Sequence, residues 1–161
     1  MKPWTAAGTA ALLTAALTAC GYAPVRHPGA PGARVRVLPV RNDTAQAEAG
    51  GLFARELRSE LAGRGRLADD AGQGPALAAE LVSLKSAPTA SGADGAAAFR
   101  LDAELRVKLG DFEETATGGE DYLAGEDVPG TEANRRAALR RLARMLAREA
   151  VERFEVSERM K

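Results

Sequence analysis

From Phe99 to Leu109 the chain alternates without a break for eleven residues. Phe99, Leu101, Ala103, Leu105, Val107 and Leu109 are apolar or small, and Arg100, Asp102, Glu104, Arg106 and Lys108 fall between them. A period of two is the signature of a strand with one face in a core and the other in water. Its partner is expected at Leu77 to Ser86, where Leu81, Val82 and Leu84 are less cleanly ordered. The stretch between, Ala87 to Gly95, carries Pro88, Ser91, Gly92 and Gly95 and reads as the loop of an antiparallel hairpin.

The remaining elements are arranged around that hairpin. Arg34 to Val40 alternates at Val35 and Val37 and reads as a strand, which Pro39 places at an edge or where the ladder stops. Asn42-Asp43-Thr44 is a turn cluster; it also spells a glycosylation sequon, and the loop reading is preferred. A helix follows with Leu52, Phe53, Leu57 and Leu61 on one face, its start between Ala45 and Leu52 and its stop at Gly63 or Gly65. Asp69-Asp70 and the Gly72 to Pro75 segment read as a solvated loop. Beyond Gly118-Gly119, the segment Glu120 to Val128 offers Tyr122, Ala124 and Val128 as a weaker fourth strand. The last helix is expected to open at Thr131 as N-cap, with Glu132 beside the positive end of its dipole. Its apolar stripe is Leu139, Leu142, Leu146, Ala150 and Phe154, flanked by Ala138 and Met145, and the residues after Val156 are expected to fray.

These elements give an α+β fold over residues 34–156. It is a two-layer sandwich of about four mostly antiparallel strands with two helices on one face, in the order β-α-β-β-β-α. Aromatic residues are few and Ala, Leu and Val plentiful, so the core is aliphatic. One cysteine excludes a disulfide framework, which leaves stability to packing.

The amino-terminal end has a different character. Lys2, then a small and apolar run from Ala6 to Leu17, make a secretory signal over residues 1–19. The run has about a dozen residues where a membrane-spanning helix needs roughly twenty. Leu17-Thr18-Ala19-Cys20 resembles the lipobox of bacterial lipoproteins, which implies acylation of Cys20, the chain's only cysteine. The competing reading is a free thiol behind an ordinary signal, an awkward group to export into an oxidising compartment. Gly21 after the cysteine, in place of Asp, implies passage to the outer membrane. Residues 20–33, rich in Pro and Gly, read as a tether that spans roughly 40 Å when extended. His27, the only histidine, lies in that tether and reads as solvated.

Formal charge is zero, so nothing points to nucleic acid. Metal-ligand spacing and a Gly-Xaa-Ser-Xaa-Gly nucleophile turn are both missing from the sequence, and an enzyme and a resident cofactor are not expected. Arg136, Arg140, Arg144 and Arg148 recur at helical spacing on the last helix. Such a row can grip lipid phosphates. A solvated face that pairs with Glu149, Glu152 and Glu155 is the preferred reading, because arginine is abundant throughout the chain.

With Cys20-Gly21-Tyr22 at its start, the first strand running into Asn42 and Thr44, the Leu52 to Leu61 helix, the Phe99 to Leu109 strand and the opening Glu132-Ala133-Asn134-Arg135-Arg136-Ala137-Ala138-Leu139-Arg140-Arg141-Leu142-Ala143, the chain resembles the LptE-type lipopolysaccharide-assembly lipoproteins. The resemblance implies a non-catalytic outer-membrane subunit that plugs and helps assemble an LptD-type β-barrel, with lipopolysaccharide as a ligand. In some members basic residues at the tip between the second and third strands, and near the start of the last helix, meet the lipid's phosphates. Here the tip has Asp94, and Gly125 to Gly130 offers Glu126 and Asp127. The candidates for lipid phosphate are therefore Arg100, Arg106 and Lys108 on the wet strand face and Arg135 and Arg136 at the helix start. The alternative function is a lipoprotein regulator of a periplasmic cell-wall synthase, for which the tether is short.

Overall fold

A computed structural model describes residues 33–69, 74–92 and 95–160. The signal segment, Cys20, His27, Asp70 and Asp94 lie outside the described residues. Five strands and two helices follow in the order β1 (Arg36–Val37), β2 (Arg41–Asn42), α1 (Ala49–Gly63), β3 (Ala76–Gly92), β4 (Gly95–Leu109), β5 (Phe112–Leu123) and α2 (Val128–Arg159). The sheet runs β1, β3, β4, β5, with β2 beside β3 further along, and both helices pack on one face. The β3–β4 and β4–β5 pairs are antiparallel, whereas β1 and β2 run parallel to β3.

The first strand is split at Pro39. The amides of Arg36 and Leu38 donate to the carbonyls of Pro75 and Leu77, so the Pro39 nitrogen falls on the unpaired side of this edge, where its missing N–H costs nothing. Pairing resumes at Arg41 and Asn42, beyond the expected end at Val40. The Asn42 side chain then builds the expected turn: its amide donates to the Gln46 carbonyl, and its oxygen accepts from the Thr44 amide and hydroxyl. Helix α1 ends on Gly65 at φ 67°, with Gly65 N–H on the Ala62 carbonyl and Arg66 N–H on the Leu61 carbonyl, the double closure of a Schellman motif.

The hairpin differs from expectation at its tip. Strand β3 continues through Ala87–Gly92, and Gly92 pairs with Gly95, so the expected loop is mostly strand. Pro88 is accommodated opposite Phe99 because the register shifts just beyond it, and because β1 and β2 pair with β3 only as far as Leu81. A further shift between Leu81 and Ser83 leaves Val82 without a partner and moves the inward phase from Leu77, Ala79 and Leu81 to Leu84. That bulge is the cause of the irregular order at Leu81, Val82 and Leu84.

The fourth expected element is also displaced. Strand β5 begins at Phe112, directly after the two-residue Gly110-Asp111 turn in which Gly110 takes φ 58°, and it ends at Leu123 instead of Val128. Gly118 and Gly119 are inside it. A Cβ on Gly118 would lie 2.5 Å from Met145 Cε and 3.2 Å from Leu146 Cδ2, so the glycine lets α2 settle close on the sheet. Helix α2 opens at Asp127, not Thr131: the Asp127 carboxylate accepts from the Gly130 amide at 2.7 Å, and Pro129 sits in the first turn where an N–H has no partner to lose. Thr131 instead accepts from the Gly125 amide. The helix runs on to Arg159, past the expected limit at Val156.

One core joins the layers. Leu101, Ala103, Leu105 and Val107 of β4 meet Phe53, Leu57 and Leu61 of α1 and Leu139, Leu142, Leu146 and Phe154 of α2. On α2 the buried positions follow two i, i+4 rows, Leu139-Ala143-Ala147-Val151 and Leu142-Leu146-Ala150-Phe154.

Candidate functional site

Among the described residues no cluster of three His, Cys, Asp or Glu side chains can hold a metal ion, and no helix is long and apolar enough to cross a membrane. The chemistry on offer is arginine chemistry at the surface, and it is organised differently on the two outer faces.

On the outer face of the sheet, alternation in β4 sends Arg100, Arg106 and Lys108 outward beside carboxylates from both neighbouring strands. Arg100 donates to Asp102 at 3.0 Å and to Asp121 at 3.4 Å; Arg106 reaches Glu80 at 3.4 Å and Lys108 reaches Glu113 at 3.4 Å. The Asp102 hydrogen bond raises the Arg100 pKa. All three are paired within the sheet, in positions where exposed ion pairs contribute little to stability.

Arg135 and Arg136 are in the other layer, at the start of α2, so the five expected positions form two separate groups. Both hold Glu132, at 2.7 and 3.0 Å, and Arg135 also donates to Gln46 at 2.6 Å, which ties the helix to the entry of α1. The Arg135 hydrogen bond, followed by the charges of Arg135 and Arg136, holds the Glu132 carboxyl below its ordinary value.

The rest of the arginine row behaves otherwise. Among the described residues Arg140, Arg144 and Arg148 are exposed and form no ion pair. The expected pairing with Glu149, Glu152 and Glu155 does not occur. Glu149 pairs with Arg153, four residues on, and Arg64 at the end of α1 takes both Glu152 and Glu155 along with Glu60. Arg141 leans to the sheet and holds Glu120 at 3.0 Å, while Arg153 holds Glu114. These two cross-layer bridges explain why β5 carries glutamates on its helix side.

Two structural arginines carried no signal in the sequence. Arg64 clamps α1 to α2; burial works against its charge, and the hydrogen bonds to Glu60 and Glu155 outweigh burial, so its pKa is raised. Arg66 is buried, stacks its guanidinium 4.9 Å from the Phe154 ring centre, pairs with Glu158 at 2.6 Å and donates to the Ala33 carbonyl at 3.0 Å. It fixes the first described residue of the chain against the end of α2.

The family model LptE, lipopolysaccharide-assembly, matches residues 33–154. The fold is similar to the crystal structure of rare lipoprotein B from Shewanella oneidensis, at 16% identity and TM-score 0.54, covering 76% of this chain and 96% of that one. A minor lipoprotein from Acinetobacter baumannii aligns at 11% identity and TM-score 0.49 over 79% of this chain and 94% of that one. No curated protein matches the sequence.

Proposed function

This chain belongs to the LptE lipopolysaccharide-assembly family, and we propose that within it the protein is the non-catalytic partner of an LptD-type β-barrel, acting as plug and assembly subunit of the lipopolysaccharide export translocon. Membership makes it an outer-membrane lipoprotein of lipopolysaccharide assembly. The observation that carries the finer reading is the extent of the match, residues 33–154, which takes in every strand and most of α2. The paired, polar outer face of the sheet supports it as well: a surface already neutralised within itself suits enclosure in a wet lumen.

Cys20 is proposed as the acylated residue and as the anchor in the membrane. Three chains of buried methylenes at about 0.8 kcal/mol each hold far more firmly than a single reversible one. On the lipid side, Arg100, Arg106, Lys108, Arg135 and Arg136 are proposed to meet lipopolysaccharide phosphates by exchange, each giving up a carboxylate it now holds.

Extraction of outer membranes in mild detergent tests the proposal. One large β-barrel should copurify with the chain. A glycosyltransferase-type synthase in its place would favour the cell-wall regulator, and recovery of neither would overturn the barrel reading. Cys20→Ala should leave the domain folded and release it from the membrane fraction. Fatty-acid label persisting in that variant would remove Cys20 as the acylation site.

A further inference from the structure

We propose that residues 24–26 of the tether fold back into the cleft at the carboxy-terminal end of α2, with Val25 on its apolar floor and Arg26 on its acidic rim. The cleft opens where the β4–β5 turn meets the last turns of α2, and it measures about 520 Å³. Phe112, Val156 and Met160 supply the floor. Val156 is 52% and Met160 77% exposed, so this end of the helix leaves two large apolar side chains in water.

The chain enters the domain at the same pole. Arg66 donates to the Ala33 carbonyl at 3.0 Å, its guanidinium lies 4.9 Å from the Phe154 ring centre, and Phe154 packs on Phe112 with ring centres 5.6 Å apart. One row of contacts thus runs from the entry point to the cleft across the end of the core. Along the sheet the same path is three strand spacings, about 15 Å from β1 to β5. About five extended residues cover that distance, and Arg26 precedes Ala33 by seven.

Charge selects the segment. Asp111, Glu113, Glu114 and Glu152 line the cleft, with Arg153 as the one cation beside them. Glu113 pairs with Lys108, Glu152 with Arg64, and Arg153 is divided between Glu114 and Glu149; Asp111 forms no ion pair among the described residues. The last carbonyls of α2 add the negative end of the helix dipole. Between Gly21 and Gly32 the only Lys or Arg is Arg26, and Val25 stands next to it. Pro24 and Pro28 restrict the chain around that pair, so less conformational freedom is lost on docking. Three apolar side chains are too few for a stable interface with another protein. A segment of the same chain is present at about millimolar effective concentration and needs little intrinsic affinity. Cleft and occupant meet at the pole from which the tether leaves, so enclosure of the domain in a barrel does not separate them. Docking fixes the side of that pole from which the chain leads to its anchor.

The test uses the acylated protein in phosphatidylcholine nanodiscs, which leave no free detergent to fill the cleft. Hydroxyl-radical oxidation is read by peptide mass spectrometry. Met160 should oxidise about threefold more slowly in the native chain than in Val25→Asp, as for a site covered roughly two-thirds of the time, and Met145 should oxidise alike in both. Arg26→Glu should also expose Met160, and adding Asp111→Arg to it should restore protection. Equal Met160 rates in the native and Val25→Asp chains overturn the proposal. So does protection that survives Val25→Asp and requires the copurified barrel or a second copy, which assigns the cleft to another chain. The Cys20→Ala chain in water should give the same ratio, so failure of the anchor is told apart from failure of the docked segment.

Discussion

The two outer faces of this domain carry the same residue type in opposite states. On the sheet, Arg100, Arg106 and Lys108 each face a carboxylate on their own or a neighbouring strand, and the face neutralises itself. On α2, Arg140, Arg144 and Arg148 face solvent with their nearest glutamates already taken. The difference lies in what the neighbouring backbone brings into reach. A sheet sets residues of adjacent strands side by side at about 5 Å, so opposite charges on paired positions meet. On the outer side of a surface helix only its own i, i+3 and i, i+4 positions are in reach, and here those are arginines, uncharged residues and Glu152, which Arg64 already holds. Abundance of a charged residue therefore says little about its availability; the element that carries it decides.

That contrast can be broken outright at Leu105, which points between the layers and is fully buried. Leu105→Asp places an unpaired carboxylate in the core and should cost about 4 kcal/mol or more, which circular dichroism melting would register as loss of the folded transition. An unchanged melting curve would mean that the β4 register is wrong. Next, Gly118 and Gly119 are adjacent and face opposite layers. Gly118→Val meets Met145 and Leu146 and should lose about 2 kcal/mol by overpacking beneath α2. Gly119→Ala meets only the outer ends of Asp102 and Arg100 and should stay within about 0.5 kcal/mol in urea titrations.

A smaller effect sharpens the comparison most, because it has the opposite sign. Arg144→Glu removes two like-charge neighbours in the row and creates two opposite-charge pairs, so stability should rise by about 0.5–1 kcal/mol at low salt. A fall in stability would show that Arg144 has an internal partner. Least of all is Glu132→Gln. The Glu132 carboxyl titrates below its ordinary value because it holds Arg135 and Arg136, so its contribution is present above the ordinary carboxylate range and disappears as pH falls through the lowered pKa. The variant should lose a few tenths of a kcal/mol near neutrality and show a flatter acid limb in melts taken from pH 6 to pH 3.

Legibility followed burial. The Phe99–Leu109 pattern was readable because its inward residues from Leu101 to Leu109 are all core residues and Phe99 packs against them, and the stripes of both helices were readable for the same reason. Strand β5 was not, since its inward positions include Glu114, Ala116, Gly118 and Glu120. The small ones exist because α2 lies close, and the acidic ones because Arg153 and Arg141 reach across. Strand β3 was legible only to its middle, where the bulge at Val82 resets the phase, and Pro88 disguised the remainder as loop. The cap of α2 was misplaced by four residues because Asp127 and Thr131 both have the right chemistry, and only Asp127 has the extended backbone of an N-cap. Of the expected lipid-contacting positions, the sequence offered all five as exposed charges and could not show that each already holds a carboxylate.

Read alone, the amino-acid order determined the α+β class and the run of strands and helices around one long amphipathic strand, because periodicity is a local property. Only tertiary structure decided which arginines are free. Ion pairing depends on residues far apart in the chain, such as Arg64 with Glu155 or Arg141 with Glu120, and a glutamate drawn to one partner is withdrawn from another.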